Sequence, residues 1–471
     1  MRAIVIGGGI SGLACAYRLR QMAIPVRLLE RTERAGGVIG SVEQDGFLFE
    51  LGPQSFTSTE LLSELMDSLG LGQELLRANP RAPRFVLAGG QLHRAPLSLQ
   101  ELLTTSLLGP ATKWRLFTEA FRKSQPAEPD ESLAHFVRRK FGAELLDHFV
   151  GPFVSGVYAG DPERLSLRSA FPAVYRWEKE HGSVLRGAMK SRPAKSKPRA
   201  TLCSFRGGVA TLVRALSEKL GDAVCYRASV ASVSRRGANG KSPFELQMTT
   251  NGKAELVTAS AVVVATDTAS AARLLGNLSG PFRGDLDRIE YAPVAVVGAG
   301  YRREQVGHPA DGFGFLVARK EGLRTLGCVW NSSLFPGRAP DGMVNFTSFA
   351  GGATDPELCQ WSEGRIAETM AREVENVLRI SGPPVTRIVR RYARALPQYN
   401  LGHGQTIAAL REACARVPGL FLTGNYFDGP AIGACVEHAF GVAQSVSEYL
   451  ASMDQVHGAQ QVMGRSAPGS S

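Results

Sequence analysis

The run Ala3-Ile4-Val5-Ile6-Gly7-Gly8-Gly9-Ile10-Ser11-Gly12-Leu13 opens the chain and decides its fold class. Four apolar residues read as a buried strand, the glycines as a tight turn, and residues 13–20, apolar at helical spacing, as a helix. The spacing Gly7-x-Gly9-x-x-Gly12 has a physical logic. The first glycine permits the turn, the second lets the backbone approach a pyrophosphate, and the third allows close packing of helix on strand. The N–H groups and positive dipole end of the helix then face the phosphates. A second apolar run at 24–29 ends in Glu30, 18 positions after Gly12, where a carboxylate accepts hydrogen bonds from ribose hydroxyls. Strand, turn, helix, strand and acid in register point to dinucleotide binding in a parallel α/β unit; the alternative is a glycine turn without a ligand. Gly298-Ala299-Gly300 also follows an apolar run, but Arg303 stands where the third glycine belongs, so this pair reads as a structural turn.

Glu30-Arg31 is followed by Arg34-Ala35-Gly36-Gly37, similar to the glycine pair that large FAD-dependent amine oxidases and desaturases place after their ribose-binding acid. A second close approach of backbone to cofactor favours FAD over NAD, against the alternative of a surface turn. Near the other end, LFLTGNYFDGPAIGACVEHA at 420–439 repeats strand, glycine turn and helix start. A helix beginning near 432–434 turns its first N–H groups toward the edge of a flavin where negative charge develops on reduction.

The 471 residues exceed what one hydrophobic core organises, so two or three domains are expected. Hydrophobic residues make up 44% and charged residues 21%, the balance of a packed globular chain. A net charge of +11 favours anionic partners without choosing among them. The seven cysteines are scattered and form no CxxC pair, and the eight histidines show no paired-ligand spacing, so no metal site is expected. Odd, scattered thiols suit a reducing compartment. No leader-like segment opens the sequence, and no run approaches a membrane span. Helical spacing dominates 97–190, where Leu99, Leu102, Leu103 and Leu107 form a stripe continued by Trp114, Phe117 and Phe121. With Lys113, Arg115, Arg122 and Lys123 beside it, this stripe suits either an anionic bilayer surface or the inner face of a helical domain. Residues 186–199 read as a mobile basic loop, 260–266 as a buried strand, 362–379 as a helix and 456–471 as a disordered tail.

Taken together, GGGISGLACAYRL (7–19), ERTERAGGVIGSVEQDGFLFELGPQSF (30–56), PFVSGVYAGDPERLSLRSAFP (152–172), SFRGGVATLVRAL (204–216), LPQYNLGH (396–403) and the 420–439 segment resemble the oxygen-dependent protoporphyrinogen oxidase family, over the whole chain outside the tail. The resemblance implies an α/β molecule, α+β overall. A Rossmann-like FAD domain (1–76, 201–280 and 396–455) is joined to a mixed-sheet substrate domain (77–96 and 281–395) and a helical, membrane-associated domain (97–200). It implies FAD held by Gly7, Gly9, Ile10, Ser11, Gly12 and Leu13 at the phosphates and by Glu30 and Arg31 at the ribose. Gly36, Gly37, Val38, Gly52, Pro53, Gln54 and Ser55 would approach the flavin, Val230 the adenine, and Ala431, Ile432, Gly433 and Ala434 would complete the site. Arg84 falls where the family places an arginine against a substrate propionate, and Gly156, Leu316 and Trp330 fall in pocket-lining segments.

The implied reaction is the six-electron oxidation of protoporphyrinogen IX to protoporphyrin IX in three rounds, with flavin N5 as hydride acceptor and dioxygen as oxidant. The sequence supports no general base. The implied setting is the cytoplasm, with contact to the anionic inner face of the cell membrane and no nucleic-acid partner; a homodimer is admitted. Two other readings stay open: a flavin amine oxidase or carotenoid-type desaturase, and a non-catalytic FAD-containing porphyrin carrier.

Overall fold

A computed structural model describes residues 2–122, 124, 126, 128–191, 201–236, 243–278 and 280–465, with side chains to 455. Its first element is the strand Ala3–Ile6, wholly buried because parallel strands are covered on both faces. It pairs in parallel with Val26–Leu29 on one side and Ala261–Val264 on the other. Val224–Cys225 and Leu420–Leu422 complete a five-stranded parallel sheet whose strands come from three distant stretches of sequence. The helix Ile10–Gln21 buries Leu13, Ala14, Ala16 and Leu19 against it, alongside Val436, Ala439 and Val446 of the closing helix Ile432–Arg465. First and last helices therefore share one core.

A seven-stranded mixed sheet forms the second layer, in the order Thr386–Pro397, Tyr291–Arg302, Met343–Gly351, Thr325–Trp330, Gly314–Val317, Arg84–Ala88, Gln91–Arg94. All pairings in it are antiparallel except Gly314–Val317 with Arg84–Ala88. The hairpin Ser41–Gln44/Phe47–Glu50 turns through Asp45 and Gly46, both at positive φ, as a two-residue hairpin loop requires. It lies against this sheet. A Cβ on Gly298 or Gly300 would stand 2.5 Å from the ring of Phe49 or Phe47. The expected turn at Gly298-Ala299-Gly300 is thus the middle of a strand, and its glycines make room for two stacked aromatic rings.

Helices from 99 to 190 gather around Leu133, Phe136, Val137, Leu145, Val154 and Leu167. Three buried glutamates are satisfied there by cations: Arg139 bridges Glu131 and Glu178, and Lys140 reaches Glu119 and Glu178. The apolar stripe divides. Thr112 and Leu116 turn inward, while Trp114, Phe117 and Phe121 are 61%, 55% and 78% exposed. Leu107 lies beyond the helix Leu99–Thr104, which stops short of Pro110. The expected loop at 186–199 is helical as far as Lys190, and 192–199 lie outside the described residues, as does Lys123. The expected tail is helical as far as Arg465, and 466–471 lie outside the described residues. All seven cysteines are free, and among the described residues no helix is long and apolar enough to cross a membrane and no metal-binding cluster occurs.

Candidate functional site

The glycine turn is built for close approaches. Gly7 has φ +106°, and a Cβ on it would stand 2.7 Å from the Ala265 carbonyl oxygen. A Cβ on Gly12 would collide with the Gly7 carbonyl oxygen, so the third glycine brings helix onto strand. Gly9 differs: nothing lies within 4 Å of the place a Cβ would take. It is the N-cap of the helix and no side chain caps it, so the first helical N–H groups are left for a ligand. Glu30 closes the second strand. Its carboxylate accepts from Gly8 N at 2.8 Å on one oxygen and from Thr32 N and Oγ1, each at 2.8 Å, on the other. The strand end and the glycine turn are locked together by that acid.

The second glycine pair is stitched to the first. Gly36 N donates to Gly8 O at 2.7 Å, and Gly9 and Gly36 form an isolated parallel bridge. Gly52 passes so close to the Val38 carbonyl that a Cβ would overlap it. Gln54 donates to Gly52 O at 2.9 Å and accepts from Asn331 Nδ2 at 3.0 Å, which ties this turn to the mixed sheet. The opening of the closing helix, at Ala431 and Ile432, faces the same space.

That space is one cavity of about 2090 Å³, beyond the ~300–1,000 Å³ of a site for one small ligand. Its polar arm is lined by Gly7, Gly9, Ile10, Ser11, Glu30, Arg31, Gly36, Gly37, Val38, Gly52, Pro53, Gln54, Ser55 and Val230. The other arm runs under the mixed sheet into the helical region, past Val294, Val296 and Phe349 to Phe136, Phe149, Phe153 and Phe171. The donor-rich turn, the uncapped helix start, the acid at the strand end and the second glycine approach fit an adenine dinucleotide with a bulky second half. The apolar arm adds room for a large flat apolar molecule.

Arg84, Gly156 and Leu316 line the apolar arm, although they come from three separated segments. Arg84 is exposed at the start of its strand, with its guanidinium 5.3 Å from the centre of the Phe313 ring. Among the described residues its side chain has no ion pair or hydrogen bond. Trp330 is a correction. It is wholly buried, packed on Phe85 at 5.4 Å, His308 at 5.2 Å and Phe315 at 6.4 Å, and it does not line the cavity. The preceding Gly327, Cys328 and Val329 reach the cavity wall. Gly12 and Leu13 stand behind the wall, in the helix–strand packing, and Gly433 faces Thr59. Ala434 borders a separate shallow groove with Asp428, Glu437 and His438.

Among the described residues no histidine lines the cavity, and its carboxylates are engaged. Glu33 pairs with Arg227 at 2.7 Å. Asp267 caps the helix Thr268–Leu274 and meets Arg394 at 3.2 Å. Burial pushes its acid upward, but hydrogen bonds from Ser270 and the charge of Arg394 outweigh that and hold it below the usual carboxylate range. Burial pushes the Tyr291 phenol far up, so it keeps its proton. Among the described residues the cavity holds no side chain poised as a base.

Sequence reasoning missed Asp267, Arg390, Tyr392 and Arg394, all on the wall, and the helical aromatics. Arg390, Tyr392 and Arg394 share one face by simple alternation. Only the sheet's position shows that this face looks into the cavity.

A model of the flavin-containing amine oxidoreductases matches residues 10–447. The chain is 34% identical to protoporphyrinogen oxidase 1, chloroplastic, of Spinacia oleracea, over 95% of this chain and 84% of that one. It is 30% identical to coproporphyrinogen III oxidase of Bacillus subtilis (strain 168), over 95% of this chain and 98% of that one. A crystal structure from Exiguobacterium sp. 255-15, assigned provisionally as a protoporphyrinogen oxidase, matches with a TM-score of 0.80 at 26% identity, covering 94% of this chain and 98% of that one.

Proposed function

The chain belongs to the flavin-containing amine oxidoreductase family, in its protoporphyrinogen oxidase-like branch, and we propose that it oxidises protoporphyrinogen IX to protoporphyrin IX with dioxygen as final acceptor. FAD is its cofactor, and its activity is that of a porphyrinogen-oxidising flavoenzyme. The observation that carries the finer reading is Arg84, a guanidinium without a carboxylate partner among the described residues, on the wall of an apolar arm continuous with the dinucleotide cradle. Protoporphyrinogen IX is an apolar macrocycle with two propionates, and such a molecule needs apolar walls and a fixed cation.

In this reading FAD, when bound, supplies the acceptor for two electrons and a proton in each of three rounds. The residues of the chain bind and orient. The start of the helix Ile10–Gln21 holds the pyrophosphate, Glu30 and Arg31 the ribose, Val230 the adenine end, and the turns at Gly36–Val38 and Gly52–Ser55, with Ala431 and Ile432, the flavin end. Gly12, Leu13, Gly433 and Ala434 shape these segments from behind. Arg84 takes a propionate, and Gly156 and Leu316 define the macrocycle's seat. Phe136, Phe149 and Phe153 keep water from the apolar arm. With no base on the wall among the described residues, protons leave to solvent. The proposed division is a FAD unit of 1–76, 201–280 and 396–455, a substrate unit of 77–96 and 281–395, and a helical unit of 97–200. The proposed location is the cytoplasm, at the inner face of the cell membrane.

A second reading, coproporphyrinogen III as substrate, is favoured by one observation: a further cation, Arg390, lines the same wall. Anaerobic addition of each porphyrinogen to the flavin-loaded protein tests both readings. Loss of the flavin's visible absorbance with growth of porphyrin fluorescence is expected with protoporphyrinogen IX. Reduction by coproporphyrinogen III alone would replace the substrate. Reduction only by amines would make the protein an amine oxidase, and no reduction would make it a carrier.

A further inference from the structure

We propose that Arg390 is a second carboxylate anchor, five strands away from Arg84 in the mixed sheet, and that it favours porphyrinogens with acidic side chains on both edges of the macrocycle. The inference rests on the porphyrinogen-oxidase reading and specifies which members of that substrate class bind best. Arg390 lies on Thr386–Pro397, the strand at one edge of the mixed sheet, while Arg84 opens a strand five steps away in the sheet order. At about 4.8 Å per step, the two strands stand roughly 24 Å apart along the sheet. Long arginine side chains shorten that gap toward the span of a tetrapyrrole and its side chains. Both arginines line the one cavity.

The other groups around Arg390 leave it available. On the same face, Arg394 is committed to Asp267 at 3.2 Å and Thr268 at 3.0 Å, over the Tyr291 ring at 4.4 Å. Tyr392 donates its hydroxyl proton to Val38 O at 3.4 Å. On the other face, Arg391 is held by Glu363 at 3.7 Å and the Trp361 carbonyl at 2.9 Å. Across the strand pair, Arg390 is in register with apolar Val296. Its guanidinium sits 5.5 Å from the centre of the Tyr392 ring, with no ion pair or hydrogen bond among the described residues. A ring supports one face of the planar fork and leaves its N–H edge free for a carboxylate. Protoporphyrinogen IX carries its two propionates on one edge and meets one anchor. Coproporphyrinogen III carries four, spread over both edges, and meets two.

The test uses the flavin-loaded enzyme with wild type, Arg390→Ala and Arg390→Lys. Binding of coproporphyrin III and protoporphyrin IX is followed by porphyrin fluorescence, and retained flavin shows that each variant folds. Arg390→Ala is expected to shift the ratio of the two dissociation constants about tenfold against coproporphyrin III, since one charge-assisted pair at an exposed wall is lost. Lysine restores the ratio in part, because it keeps the charge and loses the fork. In turnover the shift appears in KM and leaves kcat near wild type. An unchanged ratio, or equal weakening of both porphyrins, overturns the anchor. A wild-type enzyme that oxidises neither porphyrinogen while Arg390→Ala still shifts the binding ratio overturns the oxidase reading and leaves the anchor standing.

Discussion

Gly156 and Leu316, 160 residues apart in sequence, touch on the cavity wall: a Cβ on Gly156 would overlap Leu316 Cδ2. The glycine sits in the helix Gly151–Tyr158 and the leucine in the strand Gly314–Val317, so this contact docks the helical region on the mixed sheet. Gly156→Ala forces the far end of Leu316 into another rotamer, and the nearest free volume is the cavity. The expected result is a severalfold rise in KM for the porphyrinogen with flavin content kept, read by steady-state kinetics and flavin absorbance. Normal KM in this variant would show that Leu316 moves away from the substrate's seat.

Gly9 and Gly12 separate cofactor binding from folding. A Cβ on Gly9 has nothing within 4 Å, whereas one on Gly12 meets the Gly7 backbone. Gly9→Val should give folded but colourless protein, whose melting temperature is lower only by the lost ligand stabilisation. Added FAD should not raise it. Gly12→Ala should destabilise the protein with or without FAD. Thermal melts of both variants, each with and without FAD, check this, and a yellow, fully active Gly9→Val variant would remove the phosphate role from this turn.

Among the described residues Arg84 has no hydrogen bond or ion pair to lose, so Arg84→Ala should leave the melting temperature and FAD content near wild type. Loss of a bidentate propionate contact, typically about 1.5–3 kcal/mol, should lower kcat/KM about ten- to a few hundred-fold. Wild-type kcat/KM with either porphyrinogen would move the propionate contact to another cation.

Stability should fall on mild acidification through His403. The imidazole is buried beside Tyr399, with ring centres 4.6 Å apart, and burial pushes its pKa down from 6.5 to about 4. The folded state therefore stays neutral where the unfolded chain takes up a proton. Stability is complete above pH 6.5 and is lost as pH falls from there toward 4, by roughly 3 kcal/mol in all. Glu119, Glu178 and Asp267, held below the ordinary carboxylate range, stabilise the fold throughout this window and lose that contribution only at lower pH. Denaturant unfolding between pH 7 and 5 should show the slope, and His403→Asn should reduce it to what His308 and His438, also held down by burial, contribute; an unchanged slope would assign it to those groups.

Trp114, Phe117 and Phe121 stack outward on one another, with ring centres 6.0 and 6.4 Å apart. Lys113, Arg115 and Arg122 flank them. Exposed rings beside cations suit an anionic bilayer surface. Flotation with anionic vesicles should carry the protein into the lipid fraction at low salt and less so at high salt, and a Trp114→Ser/Phe121→Ser variant should stay behind. Equal flotation of that variant would move the contact elsewhere.

Local rules made several features legible in the sequence. Apolar runs and glycines mark Ala3–Ile6, the turn after it, Glu30 at the next strand end and the start of the last helix, because backbone sterics and burial act within a few residues. The same reasoning mistook Gly298-Ala299-Gly300 for a turn. Glycine also appears where another chain segment comes close, and the Phe47 and Phe49 rings that come close there lie some 250 residues earlier.

The glycine turn, Glu30 and the start of the first helix were legible along the chain, since they are neighbours in sequence or share its strand pattern. The apolar arm follows from the fold alone: Trp330 turns inward while Val329 meets the cavity, Gly156 meets Leu316, and Arg84 and Arg390 stand five strands apart in one sheet. Strand order and the facing of each side chain arise from pairings between distant segments, and a shift of one residue in register reverses every face.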